Sequence, residues 1–327
     1  MVVNFMPTVM IKDENKNQSI VFSVILPIFN EGNCLVSILE RIKKTLEAMN
    51  KNFEIICVDD GSVDGTWDII GEFSQSNRNI KGIRFQRNFG HQIAIYAGIQ
   101  QSSGQYIAIL DADGQDPPEL LPKLFQECMK GYDVVYTIRK KRKESLLKRV
   151  SYKLFYRFYK FIVPFTVPLD SGDFGVFNRQ LADFIKDLPE KTPFIRGLRS
   201  WYGGRQLGVE YEREGRLKGI PKYSFIKLIL LAVNASFSFS KLPLRVFAIL
   251  GILISIASAI YGLSLLIIRL LFGKGIFPWG WTTMILLIVF FGGLNLFAFG
   301  IIGEYIGNIF DEVKNRPRYL VRNTVGF

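Results

Sequence analysis

Short apolar runs alternate with segments whose apolar positions recur every three or four residues through the first 140 residues of the chain. Val21 to Leu26, Phe53 to Val58, Ile80 to Phe85, Tyr106 to Leu110 and Asp133 to Thr137 each have the length and β-former content of a buried strand. Between them, Asn30 to Met49 sets Leu35, Ile38, Leu39, Ile42 and Leu46 on one helical face. Further helices are expected from about Asp64 to Phe73 and from His91 through about Gln100. Strands alternating with helices predict right-handed crossovers and an α/β domain with a mostly parallel sheet covered on both faces.

The pattern changes after residue 138. From Arg139 to Lys160 ten basic residues and one acidic residue, Glu144, interleave with Leu146, Leu147, Val150, Leu154, Phe155, Phe158 and Phe161, which predicts a basic amphipathic segment over 139–165. Lys222 to Phe239 reads as a second interfacial helix. Val246 to Ile268 and Thr282 to Ile302 show no polar face. About 23 helical residues reach about 34 Å, enough to cross the hydrocarbon of a bilayer, so two transmembrane helices are expected. Lys241 and Arg245 precede the first span and Lys314, Arg316, Arg318 and Arg322 follow the second, while the connection carries Arg269, Lys274, Trp279 and Trp281. Positive-inside bias then puts both termini in the cytoplasm, with a multi-pass anchor in the cell membrane. Gly292, Gly293, Gly300 and Gly303 offer a small-residue face through which a homo-oligomer could form.

Composition agrees with this division. The chain has 327 residues, 41 Lys plus Arg against 29 Asp plus Glu, and a net charge of +12, which calls for an anionic partner. A nucleic acid would satisfy that sign, but two spans exclude it as the main partner; anionic lipid headgroups and phosphorylated small molecules remain. Cys34, Cys57 and Cys128 have neither metal-ligand spacing nor an even count, so a disulfide framework is not indicated. Residues 1–20 lack the apolar core of a signal peptide and read as a loose extension.

The candidate chemistry sits where strands end. Asn30 and Glu31 follow the first, Asp59 and Asp60 the second, Arg87 and Asn88 the third, and Asp111-Ala112-Asp113-Gly114-Gln115-Asp116-Pro117-Pro118-Glu119 the fourth. Parallel strands bring their carboxyl ends to one crevice. Two carboxylates one residue apart, with a carboxamide two further on, can give oxygen ligands to Mg²⁺ or Mn²⁺ while water and substrate phosphates complete the shell. No dinucleotide fingerprint or P-loop is present, which favours a metal-held nucleotide. The only histidine, His91, falls at a helix start after Gly90 and reads as a supporting residue.

With these pieces in order, the chain resembles the membrane-anchored polyprenyl-phosphate glycosyltransferases of glycosyltransferase family 2. The resemblance is carried by Leu26 to Glu31, Val58 to Ser62, Arg87 to Gln92, Asp111 to Glu119, Asp170 to Phe174, Arg213 to Tyr223 and the paired spans. It implies a GT-A type, Rossmann-like domain over 21–221, an interfacial helix over 222–240, a two-helix anchor over 241–310 and a basic cytoplasmic tail over 311–327. It also implies a nucleotide-sugar donor, UDP-glucose by preference, a polyprenyl phosphate acceptor and a metal. By resemblance Pro27, Phe29, Glu31 and Asp60 hold the nucleoside, and Asp111, Asp113 and Gln115 the diphosphate with its metal. The family often has Tyr where this chain has Phe29, and Ser where it has Pro221 beside Lys222.

A lipid phosphate with a second pKa of about 6 is largely dianionic at neutral pH and needs no strong base, so the cost lies in gathering anions. Arg139 is assigned to the leaving diphosphate beside the Asp113 metal; Arg213, Arg216 and Lys222 to the acceptor phosphate; and Asp170 and Asp173 to orienting the acceptor or sugar, or acting as base. One displacement inverts the anomeric centre. Two rivals stand beside this reading. A processive polysaccharide synthase would carry Gln-x-x-Arg-Trp, which Arg196 to Trp201 lacks, and a membrane-tethered assembly subunit would have no need of intact acidic and basic clusters.

Overall fold

The computed structural model describes residues 19–140, 171–212 and 280–327, with isolated positions between 244 and 271. The chain forms two compact units, one of Met1–Arg142, Asp170–Gly219 and Arg318–Phe327, the other of Lys143–Leu169 and Ile220–Pro317.

Among the described residues, the first unit contains eight strands. In chain order it runs β1 (Phe22–Ile28), α1 (Gly32–Glu47), β2 (Phe53–Asp59), α2 (Thr66–Ser76), β3 (Ile80–Phe85), α3 (His91–Gln101), β4 (Tyr106–Ile109), a short helical turn at Pro118–Leu120, α4 (Leu121–Met129) and β5 (Val134–Lys140). It continues with β6 (Ser171–Asn178), α5 (Arg179–Asp187), α6 (Ile195–Trp201), β7 (Gln206–Glu212) and β8 (Val321–Val325). The sheet order is β7-β5-β6-β4-β1-β2-β3-β8. β1 pairs in parallel with β2 and β4, β2 with β3, and β5 with β7, while β6 lies antiparallel between β4 and β5. The α/β class and the mostly parallel sheet expected from the sequence are therefore present.

Burial explains why the first five strands stand out. Every position of β1 and β2 is buried, including the apolar Phe22, Val24, Ile25 and Leu26 and their neighbours Ile55, Ile56 and Val58. Phe22 meets Phe125 of α4 with ring centroids 4.0 Å apart, and α1 turns Leu35, Ile38, Leu39, Ile42 and Leu46 onto the sheet. Each such side chain adds about 1.5–3 kcal/mol on leaving water.

The last ten residues depart from expectation. Residues 311–327, expected as a basic cytoplasmic tail, are partly built into the sheet of the first unit, because Val321–Val325 pairs antiparallel with β3. Tyr319 stacks on Phe85 at 4.8 Å, and the Gln86 N–H donates to the Leu320 carbonyl at 2.9 Å. The pairing covers an edge of β3 that would otherwise present open backbone groups.

The second unit contains α7 (Trp281–Lys314). Among the described residues there is one helix long and apolar enough to cross a membrane, its candidate span being Phe290–Lys314. The predicted span from Thr282 to Ile302 lies inside α7, but the helix runs twelve residues further. Its 34 residues extend about 51 Å, more than the roughly 30 Å of hydrocarbon. The predicted span from Val246 to Ile268 lies mostly outside the described residues, as do the interfacial helix at 222–240 and most of the basic segment at 139–165.

Candidate functional site

Because β1, β2 and β4 are parallel, Phe29 to Glu31, Asp59 to Ser62 and Asp111 to Gln115 all leave the sheet at the same edge. The loop after β2 is fixed by its own carboxylates. Asp59 accepts from the Ser62 N–H at 2.8 Å, and Asp60 accepts from the Phe89 N–H at 2.7 Å and the Gly90 N–H at 2.9 Å. Asp60, expected at the nucleoside, is thus buried and braces the β3–α3 loop with both oxygens. Burial pushes its carboxyl up against those two hydrogen bonds. Gly61 between them has φ of +75°, and a Cβ there would lie 2.6 Å from the Arg87 carbonyl carbon, so the two loops can approach only with glycine at this position.

The acidic loop after β4 is shaped in the same way. The Gln115 N–H donates to Asp113 at 3.1 Å, Gly114 takes a positive φ of 73°, and Arg41 of α1 grips Glu119 through two bonds of 2.9 and 2.8 Å. Asp116 is fully buried and accepts from the Tyr211 hydroxyl of β7. The Cys34 thiol, partly buried beside this loop, donates to the Ala112 carbonyl at 3.2 Å and is pushed up to about 11 by burial and by Glu31. It is a packing group, not a nucleophile.

Asp111 differs from these bracing residues in accepting no hydrogen bond from any described residue; its Oδ1 is buried, as are the donorless Oδ2 of Asp59 and Oδ1 of Asp173, whose other oxygens are bonded. Burial raises its carboxyl to about 6, helped by the negative charges of Asp116, Asp173 and Asp113 and opposed by His91. His91, the first residue of α3, sets Nε2 3.6 Å from Asp111 and 3.4 Å from Asp173. Burial pulls this imidazole down, but the hydrogen bond to Asp173 and the two carboxylate charges prevail and hold it at about 9, so it is a cation at neutral pH. Asp173, in the middle of β6, also meets Arg196 of α6 at 3.1 Å and the Gln92 amide at 3.2 Å. Its burial penalty is outweighed by the Arg196 and His91 charges, which hold it far below the ordinary carboxylate range.

Four elements therefore converge: the β4 tip, the α3 start, β6 and α6. Of the expected site residues, Asp111 and Asp173 meet through His91, and Asp113 and Gln115 share their loop. Pro27 is buried at the end of β1, Phe29 is exposed just beyond it, and Glu31 precedes α1. Arg139 lies on β5, in register with Tyr211 of β7. Asp170, Arg213, Arg216 and Lys222 lie outside the described residues. His91 was expected only as a support, whereas it bridges two of the acidic groups. Gln92 and Arg196 carried no signal beyond their place in longer motifs.

The β4 tip fits a divalent cation. Asp111, Asp113, Asp116 and Asp173 outnumber the His91 and Arg196 cations that pair with them, His91 lying 3.6 Å from Asp111 Oδ1, so the tip keeps negative charge that Mg²⁺ or Mn²⁺ can neutralise. Among the described residues no three His, Cys, Asp or Glu side chains form a complete metal cage. Such ions commonly take only one or two protein carboxylates when substrate phosphates supply the rest.

Comparison with known proteins adds the following. Residues 23–185 match the domain described as Glycosyl transferase family 2. The chain is 39% identical over 311 residues to the uncharacterized glycosyltransferase YkcC of Bacillus subtilis, covering 95% of this chain and 96% of that one. It is 35% identical over 303 residues to the SfII prophage-derived bactoprenol glucosyl transferase of Shigella flexneri, covering 92% and 97%. It is 33% identical over 309 residues to the undecaprenyl-phosphate 4-deoxy-4-formamido-L-arabinose transferase of Proteus mirabilis, covering 93% and 94%.

Proposed function

Since the chain belongs to glycosyl transferase family 2 and has a GT-A-like α/β fold, we propose that it moves a sugar from a nucleotide donor to a polyprenyl phosphate at a membrane. Glucose from UDP-glucose is the preferred donor group, in keeping with the name of the Shigella relative. The reading rests on one observation: the Asp111 carboxylate, which accepts no hydrogen bond from a described residue and has only the His91 imidazole, 3.6 Å away, as an ion-pair partner, at the carboxyl ends of the parallel strands where such sheets gather ligands.

In this proposal Asp111, Asp113 and Gln115 hold Mg²⁺ or Mn²⁺, which supplies positive charge for the leaving diphosphate. Pro27, Phe29 and Glu31 flank the nucleoside, and Asp60 keeps the β3–α3 loop in place behind it. Asp173, fixed by Arg196, Gln92 and His91, orients the sugar or the acceptor. Arg213, Arg216 and Lys222 receive the lipid phosphate, and Arg139 adds charge on the diphosphate side. The phosphate oxygen attacks the anomeric carbon as the bond to the diphosphate breaks, so an α-linked donor yields a β-linked lipid. The two apolar segments anchor the chain with both termini in the cytoplasm, supported for the second by the length and apolar surface of α7.

A panel of UDP-glucose, UDP-linked aminopentose and GDP-mannose offered with a short-chain polyprenyl phosphate tests this directly. UDP-glucose is expected to give the fastest lipid glycosylation, lost with chelator and restored by Mg²⁺ or Mn²⁺. No lipid product from any donor would overturn the reading. Retention at the anomeric carbon would overturn direct attack.

A further inference from the structure

We infer that Arg318, beyond the end of α7, is a positioning residue of the transferase site, acting through the segments that carry Gln92 and Arg196. Its guanidinium donates to three acceptors on two separate elements. Nε reaches the Glu190 carbonyl at 2.6 Å, Nη2 the Leu188 carbonyl and Nη1 the Tyr96 hydroxyl. The guanidinium also lies over the Tyr96 ring, 4.4 Å from its centroid. Tyr96 is on α3, five residues from His91 and four from Gln92. Leu188 and Glu190 lie in the connection that leads into α6 and Arg196.

The two elements meet again at the site. The Ile195 N–H donates to the Gln92 side chain at 2.9 Å, and Gln92 and Arg196 both grip Asp173. Arg318 therefore ties α3 to the lead-in of α6 at one end, and Gln92, Ile195, Arg196 and Asp173 tie them at the other. A planar guanidinium with several fixed donors suits this clamp, whereas an ammonium would reach fewer of the acceptors in one geometry. β8 and the Tyr319–Phe85 stack hold Arg318 in place from the C-terminal side. From the sequence alone, Arg318 counts as one of the basic charges that follow a membrane span. In the fold its charge is used inside the catalytic unit.

The inference rests on the glycosyltransferase reading, so the test separates the two. Full-length protein in detergent is compared with Arg318→Met, Arg318→Lys, Tyr96→Phe and the control Arg322→Ala. For each, the single-turnover transfer rate from UDP-glucose and the stoichiometry and affinity of UDP binding in Mn²⁺ are measured. A displacement of about 1 Å at a reacting centre can cost about 10²-fold, so Arg318→Met is expected to slow transfer at least about 10-fold. UDP is expected to bind one per chain, within about 2-fold of native affinity. Arg318→Lys is expected to recover part of the rate, Tyr96→Phe to lose about 3-fold, and Arg322→Ala to match native. Transfer by Arg318→Met within about 2-fold of native would overturn the inference. So would a rate loss matched by an equal loss of UDP-binding sites, which would mean that Arg318 only holds the fold together. If Arg318→Met does not fold, Tyr96→Phe decides: an unchanged rate overturns the inference. A native protein that transfers nothing refutes the proposed function instead.

Discussion

Two carboxylates sit at opposite ends of the parallel strands of one sheet, Glu54 buried and Asp111 half-buried, and are treated in opposite ways. Glu54, near the start of β2, is saturated. One oxygen accepts from the hydroxyls of Ser23 and Ser103 and from the Ser103 N–H at 2.5, 2.8 and 2.7 Å, and the other meets Lys81 at 2.8 Å. These bonds outweigh its burial and lower its carboxyl below the ordinary value. Asp111, just past the end of β4, accepts no hydrogen bond from a described residue, and burial with the neighbouring acids raises it to about 6 in spite of His91 at 3.6 Å. A fold that can satisfy a carboxylate this completely at one end leaves one short of donors at the other. The difference fits Glu54 to a structural role and Asp111 to the ligand site proposed above.

Substitutions should separate the two ends. The largest effect belongs to Asp113→Ala, which is expected to cut lipid glycosylation by about 10²–10³-fold, the usual scale for losing one charge-stabilising group. Thermal unfolding of that variant should stay near native; equal transfer rates would remove the acidic loop from the chemistry. Glu54→Ala should do the reverse. It leaves buried donors without their acceptor and should cost about 2–4 kcal/mol in urea unfolding, with the turnover of the folded fraction unchanged. A loss of turnover at unaltered stability would contradict the division.

The pH dependence of stability in metal-free protein provides a third contrast. Glu54 has a folded pKa below its ordinary 4.5, so its contribution is present above that value and lost as pH falls through the folded one. Asp111 has a folded pKa above its ordinary 3.8, so stability falls as pH rises from 3.8 through about 6. In urea midpoints measured between pH 2.5 and 7.5, Asp111→Asn should remove a downward slope above pH 3.8 and Glu54→Gln an upward one below about pH 5. The smallest effect is expected from Tyr211→Phe, which deletes the hydroxyl donating to Asp116 and should cost about 1–2 kcal/mol by the same measurement.

The sequence revealed the strands that are largely buried. β1, β2 and β4 are nearly continuous apolar runs because helices cover them, β3 keeps its apolar positions around the half-buried Lys81 and Arg84, and polar residues follow each of these ends. β6 could not be read that way. Its run Ser171-Gly172-Asp173-Phe174-Gly175 puts a carboxylate and two glycines inside a strand, and a Cβ at Gly175 would lie 2.8 Å from the Val135 carbonyl of β5. β8 was hidden by composition, since Arg322, Asn323 and Thr324 read as tail and become a strand only because β3 offers an open edge. In the candidate site, Asp111 and Asp113 stood out because the ends of the other parallel strands are polar too, so that the pair is one of several such ends at a common crevice. His91 and Arg196 were not, because their roles depend on contacts with residues 20 or more positions away along the chain.

Nucleotide binding at the β4 tip tests the proposal most directly. Calorimetric titration of UDP into the purified full-length chain should give one site per chain in Mn²⁺ or Mg²⁺. Binding should weaken at least about 10-fold in chelator, and by a similar factor in Asp111→Asn with the metal present, that factor being about 1.4 kcal/mol of binding free energy. UDP bound with equal affinity in chelator and in metal, and by Asp111→Asn as well as by the native chain, would contradict it.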